Sequence, residues 1–151
     1  MLTNKYDFIL NNLPYTKPFL FVDCITALSS EGITGEYTFK EDEHFYEGHF
    51  KGNPITPGVI LTECMAQIGL VCLGISLLEE DGLEGAQVAL TTTDIEFLVP
   101  VYPKEKVTVV SEKVYFRFSK LKCKVKMLNQ ENKVVCKGII TGMLVPKSYE
   151  K

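Results

Sequence analysis

The chain has 151 residues, of which 46% are hydrophobic and 23% are charged, and its net charge is −3. This length fits one compact domain with a sizeable core, and the composition excludes a disordered or collagen-like chain. We therefore expect residues 1–151 to form a single domain.

The five cysteines are scattered, with no CxxC pair and no Cys/His cluster of zinc-site spacing. An odd, scattered set is typical of reduced thiols in the cytosol. Residues 1–20 also lack the uninterrupted apolar stretch of a secretory signal. We predict a cytoplasmic protein without a metal site.

Charge is distributed unevenly along the chain. Residues 1–100 carry 4 Lys and 15 acidic residues, a net of −11, whereas residues 101–151 carry 11 Lys, one Arg and 4 Glu, a net of +8. The basic half is either a solvated sheet surface or a docking surface for an acidic partner. Nucleic acid is a poor candidate, because the whole chain is acidic and no nucleic-acid-binding motif accompanies the lysines.

In chain order, a short helix is predicted at residues 6–11, followed by β-rich runs at residues 19–28 and 33–40. The residues between these runs, Ser-Ser-Glu-Gly, have turn composition, so we predict a hairpin. Residues 41–57 contain two glycines and two prolines. Helix cannot persist through those prolines, and we predict an irregular segment.

Residues 58–78 are apolar around the whole circumference of a helix, and Pro57 precedes them at a position where proline is tolerated. Such a helix is either a core helix or a membrane span, and about 20 residues is marginal for crossing a bilayer. Glu63 and Gln67 lie within it, and a lone intramembrane carboxylate would be costly. We therefore predict a central core helix and no membrane span.

Four further strands are predicted at residues 87–97, 105–116, 121–129 and 133–144, with a polar turn at 129–132. Apolar residues alternate with lysines at residues 120–127, so one face of that strand should be buried. The other face should carry a lysine row: Lys120, Lys122, Lys124 and Lys126. Two strands, one buried helix and four strands make an α+β fold dominated by antiparallel sheet.

Few residues in this chain are candidates for proton-transfer chemistry. The only histidines, His44 and His49, both lie in the irregular segment. Glu63 is more informative, because a carboxylate on the second turn of an apolar helix must be paired, hydrogen-bonded or protonated. Gln67, four residues on, shares its face. A core hydrogen bond between Glu63 and either the backbone or Gln67 is the structural alternative to a catalytic role.

The start of the helix is a further candidate site. The backbone N–H groups of Gly58 and Val59 have no partner within the helix, and the helix dipole favours negative charge there. Such an end can polarise a thioester carbonyl and stabilise an enolate, and Gly58 has no side chain to block close approach. A histidine and a buried carboxylate, with pKa values tuned toward neutrality, would supply the proton transfers.

Three stretches of the sequence carry extended motifs: Leu13-Pro14 through Pro18-Phe19-Leu20-Phe21-Val22-Asp23; the run from Gly48-His49-Phe50 to Glu63-Cys64-Met65-Ala66-Gln67; and Asp94, Phe97, Pro100-Val101 and Pro103. In this order they resemble the motifs LPxxxPFLxVD, GHFPGxPxxPGVxxxEAMAQ and DxxFxxPVxPG of FabZ-type (3R)-hydroxyacyl-acyl-carrier-protein dehydratases. The sequence departs from the family pattern at Tyr15-Thr16-Lys17, Lys51, Cys64 and Lys104.

The resemblance implies a hotdog fold, in which a curved antiparallel β-sheet wraps a long central helix. It implies a homodimer or a larger homo-oligomer, such as a trimer of dimers. The catalytic residues would be His49 and Glu63, contributed to each active site by different subunits. Gly58 would bind the thioester oxygen, and Val59, Phe50 and Gln67 would complete the substrate-binding site.

The activity implied is dehydration of (3R)-hydroxyacyl thioesters on acyl carrier protein to trans-2-enoyl thioesters, in fatty-acid or related lipid biosynthesis, with no metal or organic cofactor. Acyl carrier proteins are typically acidic, so the lysine row, or Lys51 beside His49, is a candidate docking surface. Two alternatives remain open. One is a hotdog acyl-thioesterase, and the other is a non-catalytic subunit that pairs with a dehydratase.

Overall fold

The computed structural model describes residues 2–80 and 86–146 and has the predicted α+β architecture. A six-stranded antiparallel sheet packs against one central helix. Helix α1 spans Leu2–Asn11, and a short 3-10 turn spans His44–Glu47. The strands are β1 (Cys24–Ser29), β2 (Gly32–Thr38), β3 (Ala86–Phe97), β4 (Lys106–Arg117), β5 (Lys120–Leu128) and β6 (Val134–Pro146).

The central helix begins as α2 (Gly58–Ala66), widens into a π-helical segment (Gln67–Cys72) and ends as α3 (Leu73–Glu80). It is long and apolar enough to cross a membrane, but 72% of its most apolar stretch is buried inside the protein. The buried residues form one cluster, to which the helix contributes several fully buried side chains, among them Met65, Ile68, Leu70 and Leu73. It is a core helix, as predicted.

The strands have the order β1-β2-β4-β5-β6-β3, which leaves β1 and β3 at the edges. Strand β5 confirms the predicted alternation, because its apolar residues are buried: Leu121, Cys123, Val125 and Met127. The helix crosses this inner face closely, since a Cβ on Gly69 would lie 3.0 Å from both Ser111 and Val125. The lysine row therefore lies on the outer face, away from the helix.

The prediction of one continuous strand at residues 19–28 is wrong in its first half, because β1 begins only at Cys24. The backbone of Phe19 and Phe21 is hydrogen-bonded to a side chain of the central helix and not to a strand. The N–H of Phe21 donates to Oε1 of Gln67 at 2.8 Å, and the carbonyl of Phe19 accepts from its Nε2 at 3.0 Å. An apolar run predicts burial, and Phe21 is fully buried, but it does not specify where the backbone hydrogen bonds go.

Candidate active site

His49 lies in the loop between β2 and the central helix, and hydrogen bonds hold this loop on both sides. The N–H of Ile55 donates to the carbonyl of His49 at 2.9 Å. The hydroxyls of Tyr46 and Thr56, both buried, are 2.6 Å apart. The N–H of Thr56 also donates to the carbonyl of Val101 at 2.9 Å. The backbone that carries His49 is therefore fixed to the core.

The imidazole of His49 is oriented by its own hydrogen bond. Its Nδ1 lies 2.9 Å from the carbonyl oxygen of Ile55. Because a carbonyl only accepts hydrogen bonds, Nδ1 carries the hydrogen, and in the neutral ring Nε2 keeps its lone pair. The ring of Phe50, which is 54% exposed, stacks on the imidazole with a centroid separation of 4.1 Å. Nε2 is thus the nitrogen available as a proton acceptor.

His49 and Gly58 line the same open cavity, which has a volume of about 380 Å³. The other walls are Ile55, Thr56, Leu61 and residues 97–100, which comprise the last residue of β3 and the three residues after it. A Cβ on Gly58 would lie only 3.2 Å from the ring of Phe97, so a larger residue here would press on the cavity wall. The cleft joins the histidine loop, the helix N-terminus and the end of an edge strand.

The first turn of the helix offers free hydrogen-bond donors at this cavity. The N–H groups of Ile60 and Leu61 donate to the carbonyl of Pro57, at 2.9 and 3.1 Å. Those of Gly58 and Val59 have no acceptor among the described residues. A substrate carbonyl oxygen placed here would receive hydrogen bonds and would lie at the positive end of the helix dipole.

Glu63 is half-buried and is held by the neighbouring Gln67, whose Nε2 donates to its Oε2 at 2.9 Å. Burial raises the pKa of the Glu63 carboxyl above its ordinary value, and the hydrogen bond from Gln67 lowers that pKa by a smaller amount. Glu63 therefore keeps a proton at higher pH than an exposed glutamate does. That property suits a proton donor.

Gln67 is fully buried, and its side-chain amide is occupied by protein partners. Its oxygen accepts from Phe21 N–H, and its nitrogen donates to the Phe19 carbonyl and to Glu63. The sequence suggested that Gln67 contacts substrate. In this arrangement it connects the segment before β1 to the carboxylate.

Tyr15 is a neighbour of Glu63 that the sequence interpretation did not single out as a site residue. Burial, and secondarily the charge of Glu63, raise the pKa of the Tyr15 phenol to about 12, so it stays protonated. The only signal in the sequence was that Tyr15 stands in a triplet that departs from the family motif.

Within one chain, the predicted site residues fall into two separate places. His49 and Gly58 share a cavity, and Glu63 is not among the described residues that line it. Glu63 follows Gly58 by five helical positions, which rotates its side chain by roughly 140° around the helix axis. Within residues 2–80 and 86–146, no three His, Cys, Asp or Glu side chains are grouped so as to hold a metal ion.

A long helix packed against an antiparallel sheet is the hotdog arrangement, and solved structures share it. A hypothetical thioesterase with coenzyme A from Streptococcus pneumoniae matches with a TM-score of 0.62 at 18% identity, over 81% of this chain and 84% of that chain. At this identity the likeness establishes the fold alone. The class defined so far is a hotdog-fold protein with a histidine and an oriented carboxylate.

The family follows from the sequence comparisons. Residues 13–142 match the FabA-like domain. A 3-hydroxyacyl-[acyl-carrier-protein] dehydratase FabZ from Rhizobium rhizogenes is 35% identical over 148 residues, 95% of this chain and 89% of the relative. A FabZ from Syntrophobacter fumaroxidans is 38% identical over 99 residues, 65% of each chain. The chain belongs to the FabA-like family, and these relatives are FabZ dehydratases.

Proposed function

We propose that this protein dehydrates (3R)-hydroxyacyl thioesters on acyl carrier protein to trans-2-enoyl thioesters, in fatty-acid or related lipid biosynthesis. We further propose that residues 1–151 are a single catalytic domain that acts in the cytoplasm. The observation that carries the mechanism is that His49, with Nδ1 bonded to Ile55, lines the same cavity as the free N–H groups at Gly58.

The chemistry is an elimination of water in which each group has one task. Nε2 of His49 removes the α-proton, and the electron pair moves onto the thioester oxygen, which accepts hydrogen bonds from the N–H groups of Gly58 and Val59. Protonated Glu63 gives its proton to the β-hydroxyl, which leaves as water while the enolate collapses to the α,β-double bond. The proton on His49 then returns to Glu63 through solvent.

Substrate contacts in this proposal come from the cavity rim. Val59 is 76% exposed and Phe50 is 54% exposed, so both are available to the acyl chain or to the pantetheine arm. Gln67 has no free amide group, and it would influence the substrate through the position of Glu63.

We infer that the active unit is a homodimer, assembled through β3, from which a trimer of dimers can be built. Strand β3 has 12 residues and forms one edge of the sheet. It exposes Leu90 and Phe97, and an exposed apolar edge invites pairing with a second strand. Residues 97–100 continue β3 into the His49 cavity, so pairing there would bring partner residues close to it. The partner subunit would then complete each site with a Glu63 carboxylate.

The test is turnover of hydroxyacyl-carrier substrates of several chain lengths, followed by mass spectrometry of the carrier-bound product. Loss of water is expected, and His49→Ala and Glu63→Gln should each lower the rate by a factor on the order of 10² or more. His44→Ala is a matched control, since His44 is the exposed second histidine and should be dispensable. Normal turnover in either site variant would refute the assignment.

The two alternatives give other products in the same assay. Release of free acid and carrier would identify a thioesterase. Absence of turnover by the purified protein, with turnover gained on mixing with a second dehydratase chain, would identify a non-catalytic partner subunit.

A further inference from the structure

The hairpin between β4 and β5 ends in a two-residue turn that presents an aromatic side chain to solvent. Phe118 and Ser119 have positive φ angles of 54° and 63°. Two-residue hairpin turns with such angles favour Asn and Gly, and a bulky residue adopts them only at a conformational cost. The Phe118 side chain is nevertheless 92% exposed, the highest value among the large hydrophobic residues described.

Positive charge is concentrated immediately behind this ring. Arg117 lies directly opposite Lys120 in the strand register, although like charges in that position destabilise an antiparallel pair. Tyr115 lies opposite Lys122, and its ring centroid is 4.3 Å from the Arg117 guanidinium and 5.8 Å from the Lys122 ammonium. We call Tyr115, Arg117, Phe118, Lys120 and Lys122 the tip cluster.

Strands β4 and β5 place few carboxylates near the cations of the tip cluster. The only carboxylate in β4 and β5 is Glu112, five residues before Arg117, and it pairs in register with Lys124. Beyond the strand ends, the carboxylate of Glu31 pairs with Lys113, four residues before Arg117, at 3.6 Å. The carboxylate of Glu41, in the irregular segment, pairs with Lys104 beyond the opposite end of β4. Two features at the end of this hairpin therefore destabilise the folded chain: the turn conformation and the opposed cations.

The tip cluster is also remote from the His49 cavity. Phe97, which borders that cavity, lies opposite Cys136, near the Leu128 end of β5. Lys120 is eight residues away at the other end of the strand, roughly 26 Å. A partner that binds the tip would therefore not block the cavity.

We propose that the tip cluster docks this protein peripherally on an anionic lipid surface. The turn is convex, so a protruding ring has no groove to offer a protein helix, whereas a deformable headgroup layer can receive it. Arg117 and Lys120 flank the turn directly. When the Phe118 ring is inserted, these cations would lie at the depth of the lipid phosphates. The acidic residues at the far end of the protein repel the anionic lipid only weakly, because charges beyond about 8 Å are screened at physiological salt.

Vesicle co-sedimentation tests this proposal on the intact protein. Binding is expected to vesicles of mixed phosphatidylcholine and phosphatidylglycerol, to weaken with added salt, and to be absent with phosphatidylcholine alone. Failure of the wild-type protein to sediment with the anionic vesicles would overturn the proposal, and an acidic protein would then be the better partner for this surface.

The paired substitution Phe118→Asn with Ser119→Gly separates a binding role from a structural one. It should raise the thermal midpoint, because Asn-Gly suits the turn, while lowering vesicle partition at least tenfold and leaving turnover of a soluble thioester unchanged. Unchanged vesicle partition in this variant would refute the role of the ring. A lowered thermal midpoint would refute the inferred conformational cost.

A matched pair of charge variants tests the cations. Arg117→Gln with Lys120→Gln should lower partition by a factor on the order of 30, since each cation near an anionic surface contributes about fivefold. Lys124→Gln with Lys126→Gln removes the same charge from the middle of the sheet and should have a much smaller effect. Equal losses in the two pairs would show a diffuse charge effect and would overturn the assignment to the tip.

Discussion

Gln67 offers the sharpest perturbation of the proposed site, because it acts on Glu63 without being exposed to substrate. Gln67→Met keeps a side chain of similar volume and removes the amide. We expect the variant to fold, to lose part of its stability and to turn over substrate more slowly. Gln67→Glu keeps the acceptor for Phe21 N–H but replaces the donor toward Glu63 with an acceptor.

The expected size follows from the three hydrogen bonds of the amide. The bond to a protonated Glu63 carboxyl contributes about 0.5–1.5 kcal/mol, and leaving the buried Phe21 N–H unpaired costs about 1–3 kcal/mol. Glu63 and Phe19 are partly exposed, which reduces the total, so we expect a loss of about 3 kcal/mol from the free energy of unfolding. For about 150 residues this corresponds to a decrease in Tm of about 6–12 °C. Misplacement of Glu63 should lower kcat by about 10- to 100-fold.

The pH dependence of kcat distinguishes positioning from packing. Gln67 lowers the pKa of Glu63, so the limb of the profile that depends on Glu63 should move to higher pH in Gln67→Met, and further in Gln67→Glu. Gln130→Met is the matched control, because Gln130 is exposed and accepts only a long, exposed bond of 3.4 Å from Lys106 N–H. It should leave the pH profile unmoved and change Tm far less than Gln67→Met does. Slower turnover with an unmoved pH profile in both Gln67 variants would refute the proposed action through Glu63.

Three further predictions concern assembly and the carrier. Mixing inactive His49→Ala with inactive Glu63→Gln subunits should restore part of the activity if each site is shared between subunits, and no rescue after verified subunit exchange would contradict that arrangement. Lys51→Glu should raise KM for carrier-bound substrate with little effect on a short pantetheine thioester, because Lys51 is exposed beside His49. Charge reversal at Lys122 and Lys124 tests the lysine row in the same assay, and equal effects on both substrates would exclude a docking role.

Much of the fold follows from local patterns that physical chemistry makes reliable. The lysine alternation in β5 fixes its buried face, and the polar turn at residues 129–132 fixes the hairpin to β6. The all-round apolar helix specifies a core position because Glu63 makes a membrane span costly. These signals are short-range, and each depends on residues within one element.

The contacts that shape the site are long-range, and the sequence pattern alone does not supply them. Gln67 bonds to Phe21, 46 residues earlier, and that bond takes the place of strand pairing before Asp23, whose N–H donates to Glu36 of β2. The Nδ1 bond of His49 to Ile55 depends on the path of an irregular loop that has no periodicity. The candidate site residues are predicted from their chemistry and from the family motif, whereas their orientation follows only from the tertiary structure.

Glu63 gives a last prediction, in which catalysis and stability have opposite requirements. Its pKa in the folded protein is raised by burial above the ordinary value of 4.5, so the native state holds a proton that the unfolded chain has already lost. The free energy of unfolding therefore falls as pH rises from the unfolded pKa through the folded pKa. Glu63→Gln has no charge to bury and still offers an oxygen to Nε2 of Gln67. It should match the wild type in acid and have a higher Tm than the wild type at neutral pH, while losing activity. Calorimetry of both proteins between about pH 4 and pH 8 measures this difference. If the variant is instead less stable at neutral pH, the carboxylate is a structural partner of Gln67, and the core hydrogen bond is sufficient reason for a glutamate at this position.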